Sequence, residues 1–348
     1  MNNKTPIKIG IVGLGRAGYF MHAAEIKNRS DKFVFHAACD IIPDRIMKFH
    51  DEFGAIPYER YEDMLGDPDV ELVDIATRSC DHFAHAKSAL AAGKDVFLEK
   101  PFSMDTREAK ELIALGSQRG GPRLFIRHNR RFEHGFELIC EIIDSGILGD
   151  VYEIKLARNG YQRRNDWQTL KEFGGGLLNN WGTHIIDHAL CFCGGGYTSL
   201  YSELRLVAAA GDAEDHIKII FTGQNGRIVD MEVSGGVSVE IPVYTVYGSK
   251  GSLVSDGKGF NLRYLDPDKP LAPVKADTAT PGFAGHQDPL TWIEERREIN
   301  FESEGIDRIW DALYDDIRFG KPFPIKLEQA MAVIEVIESV VTAGKNAM

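Results

Sequence analysis

Short apolar runs alternate with longer amphipathic stretches through the first third of the chain. Ile7–Val12, Phe33–Cys39, Glu71–Ala76 and Lys94–Glu99 read as buried strands. The stretches running to about Asn28, from Asp81 to Ala92 and from Asp105 to Gln118 read as helices. Strands that alternate with helices predict a parallel sheet wound on both faces. The turn-prone Arg119-Gly120-Gly121-Pro122 follows the last of these helices and predicts a domain boundary, with a first domain over 1–122.

Beyond that point the pattern changes. A strand at Arg123–Arg127, a helix from about Glu133 to Ser145 and a strand at Val151–Ala157 come first. Leu200–Leu206, His216–Phe221, Arg227–Ser234, Val243–Tyr247 and Ser252–Val254 then alternate as strands, two of them joined by a hairpin at Gly223-Gln224-Asn225-Gly226. Residues 123–348 therefore predict a second, α+β domain on a mostly antiparallel sheet of five or six strands. Helices on one face of such a sheet leave the other for association, so a homodimer or homotetramer is expected. Asp266–Pro289 reads as a long loop, and helices close the chain at about Ser303–Phe319 and Leu327–Ala343.

Composition narrows the partners. A length of 348 residues fits two domains. A formal net charge of −12 disfavours nucleic acid and anionic membranes. No apolar run approaches the ~18 residues of a membrane span, and no apolar signal segment precedes the first strand. Cys39, Cys80, Cys140, Cys191 and Cys193 have no framework spacing and read as reduced thiols of a cytoplasmic protein. No metal is expected: Cys191 and Cys193 are too closely spaced for a zinc pair, and His184-x-x-x-His188 lacks the Glu of the metalloprotease motif.

Candidate chemistry gathers at six places. Gly13-Leu14-Gly15-Arg16-Ala17-Gly18 follows the first strand and opens a helix, the setting in which G-x-G-x-x-G holds a pyrophosphate. Asp40 ends the second strand 22 residues after Gly18, where a carboxylate accepts from a ribose 2′-hydroxyl and repels a 2′-phosphate. NAD is therefore expected over NADP, with Arg16 and Arg45 softening the preference. Glu99 and Lys100 end the strand at Val96–Leu98, where a ligand lies in a parallel sheet. A Lys pressed against a cofactor loses solvation, which lowers its pKa and suits it to proton transfer. Thr77 and His82 lie just past another strand and border the nicotinamide half of the cofactor, although His82 reads equally as a core residue. Asn129-Arg130-Arg131 suits either phosphate binding or the domain interface. After Gly174-Gly175-Gly176, a helix begun before Asn180 brings Asn180, His184, Asp187 and His188 to one face, which suggests a site. Alone, His184 reads as a hydrogen-bonded core residue.

Together these residues resemble the Gfo/Idh/MocA oxidoreductases, named for glucose-fructose oxidoreductase and inositol dehydrogenase. The marks are the glycine turn, Asp40, Glu99-Lys100-Pro101, Asn129-Arg130-Arg131-Phe132, the glycines at 174–176 with His184 and Asp187, Ala213-Glu214-Asp215-His216 and Tyr247-Gly248-Ser249-Lys250-Gly251. The resemblance implies an NAD(P)-dependent dehydrogenase acting on a secondary alcohol of a sugar or cyclitol. It implies catalytic roles for Lys100 and His184, with Asn180 beside them, and cofactor contacts from Glu99, Lys100, Asn129 and Trp167. Asn180 stands where the family commonly has Asp, Arg78 where Pro is frequent, and Gln168 where Arg is frequent. A glycosidase that uses NAD transiently and a non-catalytic NAD-sensing regulator are the alternative readings.

Overall fold

Ile7–Val12 (β1), apolar except for Lys8, lies in the middle of a six-stranded sheet that is covered on both faces. Phe33–Cys39 (β2) and Ile56–Tyr58 (β3) extend it on one side, and Leu72–Ile75 (β4), Asp95–Leu98 (β5) and Leu124–Ile126 (β6) on the other. All five pairings are parallel, in the order β3-β2-β1-β4-β5-β6. The order reverses direction between β1 and β4, and a ligand crevice lies outside the strand ends at that point. The connections run through Ala23–Ile26 (α1), Pro43–Phe53 (α2), Tyr61–Gly66 (α3), His82–Ala91 (α4) and Thr106–Gly116 (α5). Asp105 caps α5, its side chain accepting from the Glu108 amide at 2.7 Å. This structure, a computed structural model, describes residues 5–273, 278, 289–299 and 304–346.

The second sheet has eight strands. Val151–Asn159 (β7), which follows His134–Asp144 (α6), is central to it. After Thr183–Phe192 (α7) come Tyr197–Arg205 (β8), His216–Gly223 (β9), Ile228–Ser234 (β10), Tyr244–Gly248 (β11), Gly251–Ser255 (β12), Gly259–Leu265 (β13) and Trp292–Glu298 (β14). Their order is β14-β13-β12-β11-β7-β10-β9-β8, antiparallel except where β10 pairs with β7. Ile154, Leu156, Ile217, Ile219, Val229, Met231 and Val246 alternate onto one buried face, in one core with Ile185, Ile186 and Ala189 of α7. The sheet exceeds the five or six strands expected. β14 escapes sequence reading because Glu294, Glu295, Arg296, Arg297 and Glu298 give it the look of a solvated stretch; it is an edge strand, where charge is common. Most of the expected loop over Asp266–Pro289 lies outside the described residues.

The expected boundary at 119–122 needs correction. β6 pairs in register with β5, Val96 opposite Leu124 and Leu98 opposite Ile126, so that glycine-rich turn lies inside the first domain's sheet. A turn of this kind reads the same whether the next strand joins the old sheet or begins a new one. The chain also returns. Arg308–Phe319 (α8) buries Ile309, Trp310 and Leu313 in one core with Ile7, Ile9, Phe33 and Phe97 of the first sheet. Leu327–Asn346 (α9) packs Val333 and Ile337 into the core that α7 shares with the second sheet. Among the described residues, no helix is long and apolar enough to cross a membrane.

Candidate active site

The glycine turn is shaped by close backbone approach. Gly13 has φ +90°, and a Cβ there would lie 2.6 Å from the Ala76 carbonyl oxygen. A Cβ on Gly18 would lie 2.1 Å from the Gly13 carbonyl oxygen. Gly15 meets nothing closer than Arg45 Nη1 at 3.8 Å, so its face is open, as a pyrophosphate requires. The residues therefore fit a dinucleotide: a cradle at Gly13–Gly18, the amides of the helix start beyond it, and Asp40 beside it. Asp40 Oδ2 accepts from the Leu14 amide at 2.6 Å and Oδ1 from the Ile42 amide at 2.9 Å, while Arg45 Nη1 stands 3.7 Å from Oδ2. Each carboxylate oxygen keeps a second lone pair for a ribose hydroxyl. Arg16 is exposed, and Ala17 lies within the turn.

Lys100 crosses from this domain to the next. Its Nζ donates to the Asn180 backbone oxygen at 3.0 Å and lies 3.4 Å from Asn180 Oδ1. Burial lowers its pKa to about 8; Glu99 opposes that shift, while Arg127, Arg130 and Arg164 favour it. Asn180 stands in a π-helical turn, Leu178–Gly182, that precedes α7, and such turns cluster at functional sites. Its Nδ2 donates to Gln168 Oε1 at 3.3 Å, which aims the amide oxygen at Lys100. His184 is 8% exposed, and its Nδ1 has no hydrogen-bond partner among the described residues. Burial, then the charges of Lys100 and Arg130, push its pKa well down, so its imidazole is neutral and offers one donor and one acceptor.

Several expected site residues do other work. Glu99 is turned into the core: it is buried, with Oε1 bound to His22 Nε2 at 3.0 Å and Arg127 Nη1 at 2.7 Å, and Oε2 accepting from the Lys100 amide at 3.1 Å. His82 is a core residue, its Nδ1 2.6 Å from the Pro101 carbonyl oxygen and its Nε2 3.2 Å from that of Thr77; burial favours the neutral ring, which donates to one of the two. Thr77 abuts the glycine turn, its Oγ1 3.1 Å from His85 Nδ1. Asp187 takes Arg131 on both oxygens, at 2.5 and 2.7 Å, and His188 stacks on Phe136 while bonding the Arg130 carbonyl at 3.0 Å. The polar stripe on α7 thus divides: Asn180 and His184 lie at the site, and Asp187 and His188 fix the helix to its neighbours. Asn129 is fully buried beyond the end of β6, its Oδ1 without a partner among the described residues. Trp167 opens a short turn whose continuation, Phe173 and Gly174, packs on Arg78 and Met104 of the first domain.

A cavity of about 240 Å³ opens beside Asn180. Its wall includes Arg158, Asn159, Arg164, Gln168, Asn180 and Glu214. Arg158 Nε and Asn159 Oδ1 have no partners among the described residues. Sequence reading missed Arg158 and Asn159, which end β7 in an otherwise ordinary strand; polar residues ending an apolar run were the one available signal.

Dinucleotide cradle on one domain, small polar cavity on the other and an amine between them make a nicotinamide-dependent oxidoreductase. Residues 7–127 match the oxidoreductase family with an NAD-binding Rossmann fold, and residues 136–254 match the GFO/IDH/MocA C-terminal domain. An uncharacterized oxidoreductase of Schizosaccharomyces pombe is 30% identical over 289 residues, 80% of this chain and 76% of that protein. The scyllo-inositol 2-dehydrogenase (NADP(+)) IolW of Bacillus subtilis is 25% identical over 98% of this chain and 94% of its own length. An NAD-binding protein from Listeria innocua superposes with a TM-score of 0.81 at 22% identity, over 99% of this chain and 96% of that one. The chain belongs to the Gfo/Idh/MocA oxidoreductase family, and its first domain is an NAD-binding Rossmann fold.

Proposed function

We propose that the protein oxidises a secondary alcohol of a sugar, cyclitol or related polyol, with Lys100 and His184 sharing the hydroxyl proton. The observation that carries this reading is the Lys100 amine, brought from the cofactor domain onto Asn180 at the edge of a polar cavity. A cavity of about 240 Å³ is smaller than the ~300–1,000 Å³ of sites for drug-sized ligands and suits one polyol ring. The likeness to a scyllo-inositol dehydrogenase supports the same class. NAD, when bound at the glycine turn, supplies the hydride acceptor. Lys100, with a pKa of about 8, takes up the proton in its neutral form, which grows as pH rises through about 8, and neutral His184 orients the hydroxyl through Nδ1, which has no partner among the described residues. Asn180 accepts from the Lys100 ammonium but cannot take its proton. An absorbance screen for NADH against sugars, cyclitols and sugar acids tests the reading. Aglycone release from a glycoside without net NADH would replace it with a transient-redox glycosidase.

Asp40 supports a preference for NAD over NADP, and calorimetry is expected to show tighter NAD binding. Asp40→Ser retains an acceptor for one of the two amides and is expected to narrow the gap. Tighter NADP binding by the native protein would mean that Arg45 and Arg16 outweigh the carboxylate. Tyr152 is exposed and Lys155 and Tyr247 are half-buried on the face of the second sheet away from α7, which supports a homodimer or homotetramer through that face. Light scattering is expected to give a mass at least twice 38.8 kDa, and a monomer would end that proposal.

A further inference from the structure

Behind Lys100 lies a buried chain of charges that the chemistry above does not use. His22, in the helical turn after Gly18, puts Nδ1 2.9 Å from both oxygens of Asp74 and Nε2 3.0 Å from Glu99. Arg127, at the end of β6, donates to Glu99 at 2.7 Å and to both oxygens of Glu25 at 2.6 and 2.7 Å. Trp310 Nε1 donates to Glu25 at 2.7 Å. Both nitrogens of His22 face carboxylates, so both carry protons. Burial opposes that charge, but Asp74 prevails over burial and Arg127, and the pKa is raised to about 9. Glu99 is likewise held ionised: burial opposes it, and Arg127 and His22 outweigh burial.

We propose that His22 and Arg127 are positioning residues that keep the Glu99 carboxylate turned into the core, away from the amine of the residue next to it. Lys100 follows Glu99 directly in sequence, and a free Glu99 would pair with it. In the structure Glu99 is engaged elsewhere, and among the described residues the Lys100 amine meets only the neutral oxygens of Asn180. The charged groups acting on Lys100 are then Glu99, Arg127, Arg130 and Arg164, with neutral His184 close by. Those facing His22 are Asp74 from β4, Glu99 from the end of β5 and Arg127 from β6, with the Phe97 and Trp310 rings completing its walls. The clamp gains its meaning from the proposed role of Lys100 as a base, but its geometry can be tested without a substrate.

The test is competitive labelling of the full-length protein with acetic anhydride across pH, with acetylation of Lys100 read by mass spectrometry. Arg127→Gln and the milder His22→Gln are expected to release Glu99 toward the amine and raise its pKa. A rise of about one unit lowers labelling at pH 8 roughly fivefold. In a Glu99→Gln background His22→Gln is expected to leave labelling unchanged, and Arg127→Gln to keep only the smaller decrease due to its own lost charge. Two results overturn the proposal: unchanged labelling in both single variants, or the full decrease persisting with Gln at position 99, which would assign it to the direct field of the lost cation. If Arg127→Gln does not fold, His22→Gln with and without Glu99→Gln decides alone. Because no polyol is needed, a failed NADH screen leaves this result readable.

Discussion

Lys100→Met is expected to lower turnover of the substrate found in the NADH screen by about 10²–10⁴-fold, the usual worth of a positioned proton-transfer group. NAD affinity, measured by calorimetry, is expected to stay largely intact, because the glycine turn and Asp40 do not depend on the amine. The pH profile gives a second reading. Lys100 acts as a base only when neutral, so the native rate of alcohol oxidation should rise with pH through about 8 and lose that rise in Lys100→Met. His184→Ala is expected to be similarly inactive, and the double variant little worse than either single one, since residues that act as a unit lose activity non-additively. A Lys100→Met enzyme at near-native rate would refute the assignment. A loss traced wholly to NAD binding would make Lys100 a cofactor residue and leave the proton to His184.

The largest expected loss of stability comes from far along the chain. Trp310 is fully buried, its ring edge-on to Phe33 at 5.5 Å and Phe97 at 4.7 Å, with its Nε1 on Glu25. Trp310→Ala removes those contacts and leaves a cavity, which typically costs about 3–5 kcal/mol. It also strips a donor from a carboxylate that holds Arg127. Urea unfolding followed by circular dichroism should show a midpoint lowered accordingly. Trp310→Phe, which keeps most of the volume and loses only the indole donor, is expected to cost less. Equal losses in the two variants would show that the hydrogen bond to Glu25, rather than packing, carries the effect.

What could be read in advance follows from how local each signal is. The glycine turn, Asp40 and the strands around them were legible because tight turns and buried strands impose residue types at short range. Lys100 and Asn180 were legible as candidates, and their hydrogen bond is the contact that joins the two domains at the site. The inward turn of Glu99 was not legible. It depends on His22 and Arg127, which come from a helix and from a strand assigned to the wrong domain. A signal did exist: Asp74 within Leu72–Ile75, and Arg127 closing Leu124–Ile126, are charges in fully buried strands and need partners. Asp187 and His188 were misread because a stripe of polar residues on a helix looks the same whether it meets a ligand or the Arg131 guanidinium and the Phe136 ring. β14 was hidden by its charge; α8 was legible as a helix, but its place on the first sheet was hidden by its distance in sequence from the strands it covers.

The placement of α8 bears on how the protein is made in the cell. The six strands of the cofactor domain are all synthesised by Ile126, yet Trp310, Leu313 and Tyr314 complete the hydrophobic core beneath them. At about 5–20 residues per second, the ribosome needs on the order of ten seconds or more to pass from one to the other. Throughout that interval the nascent domain presents Phe33 and Phe97 without their covering helix, while the whole second sheet is being produced. A chain arrested before α8 would therefore be a substrate for chaperones that bind exposed apolar surface.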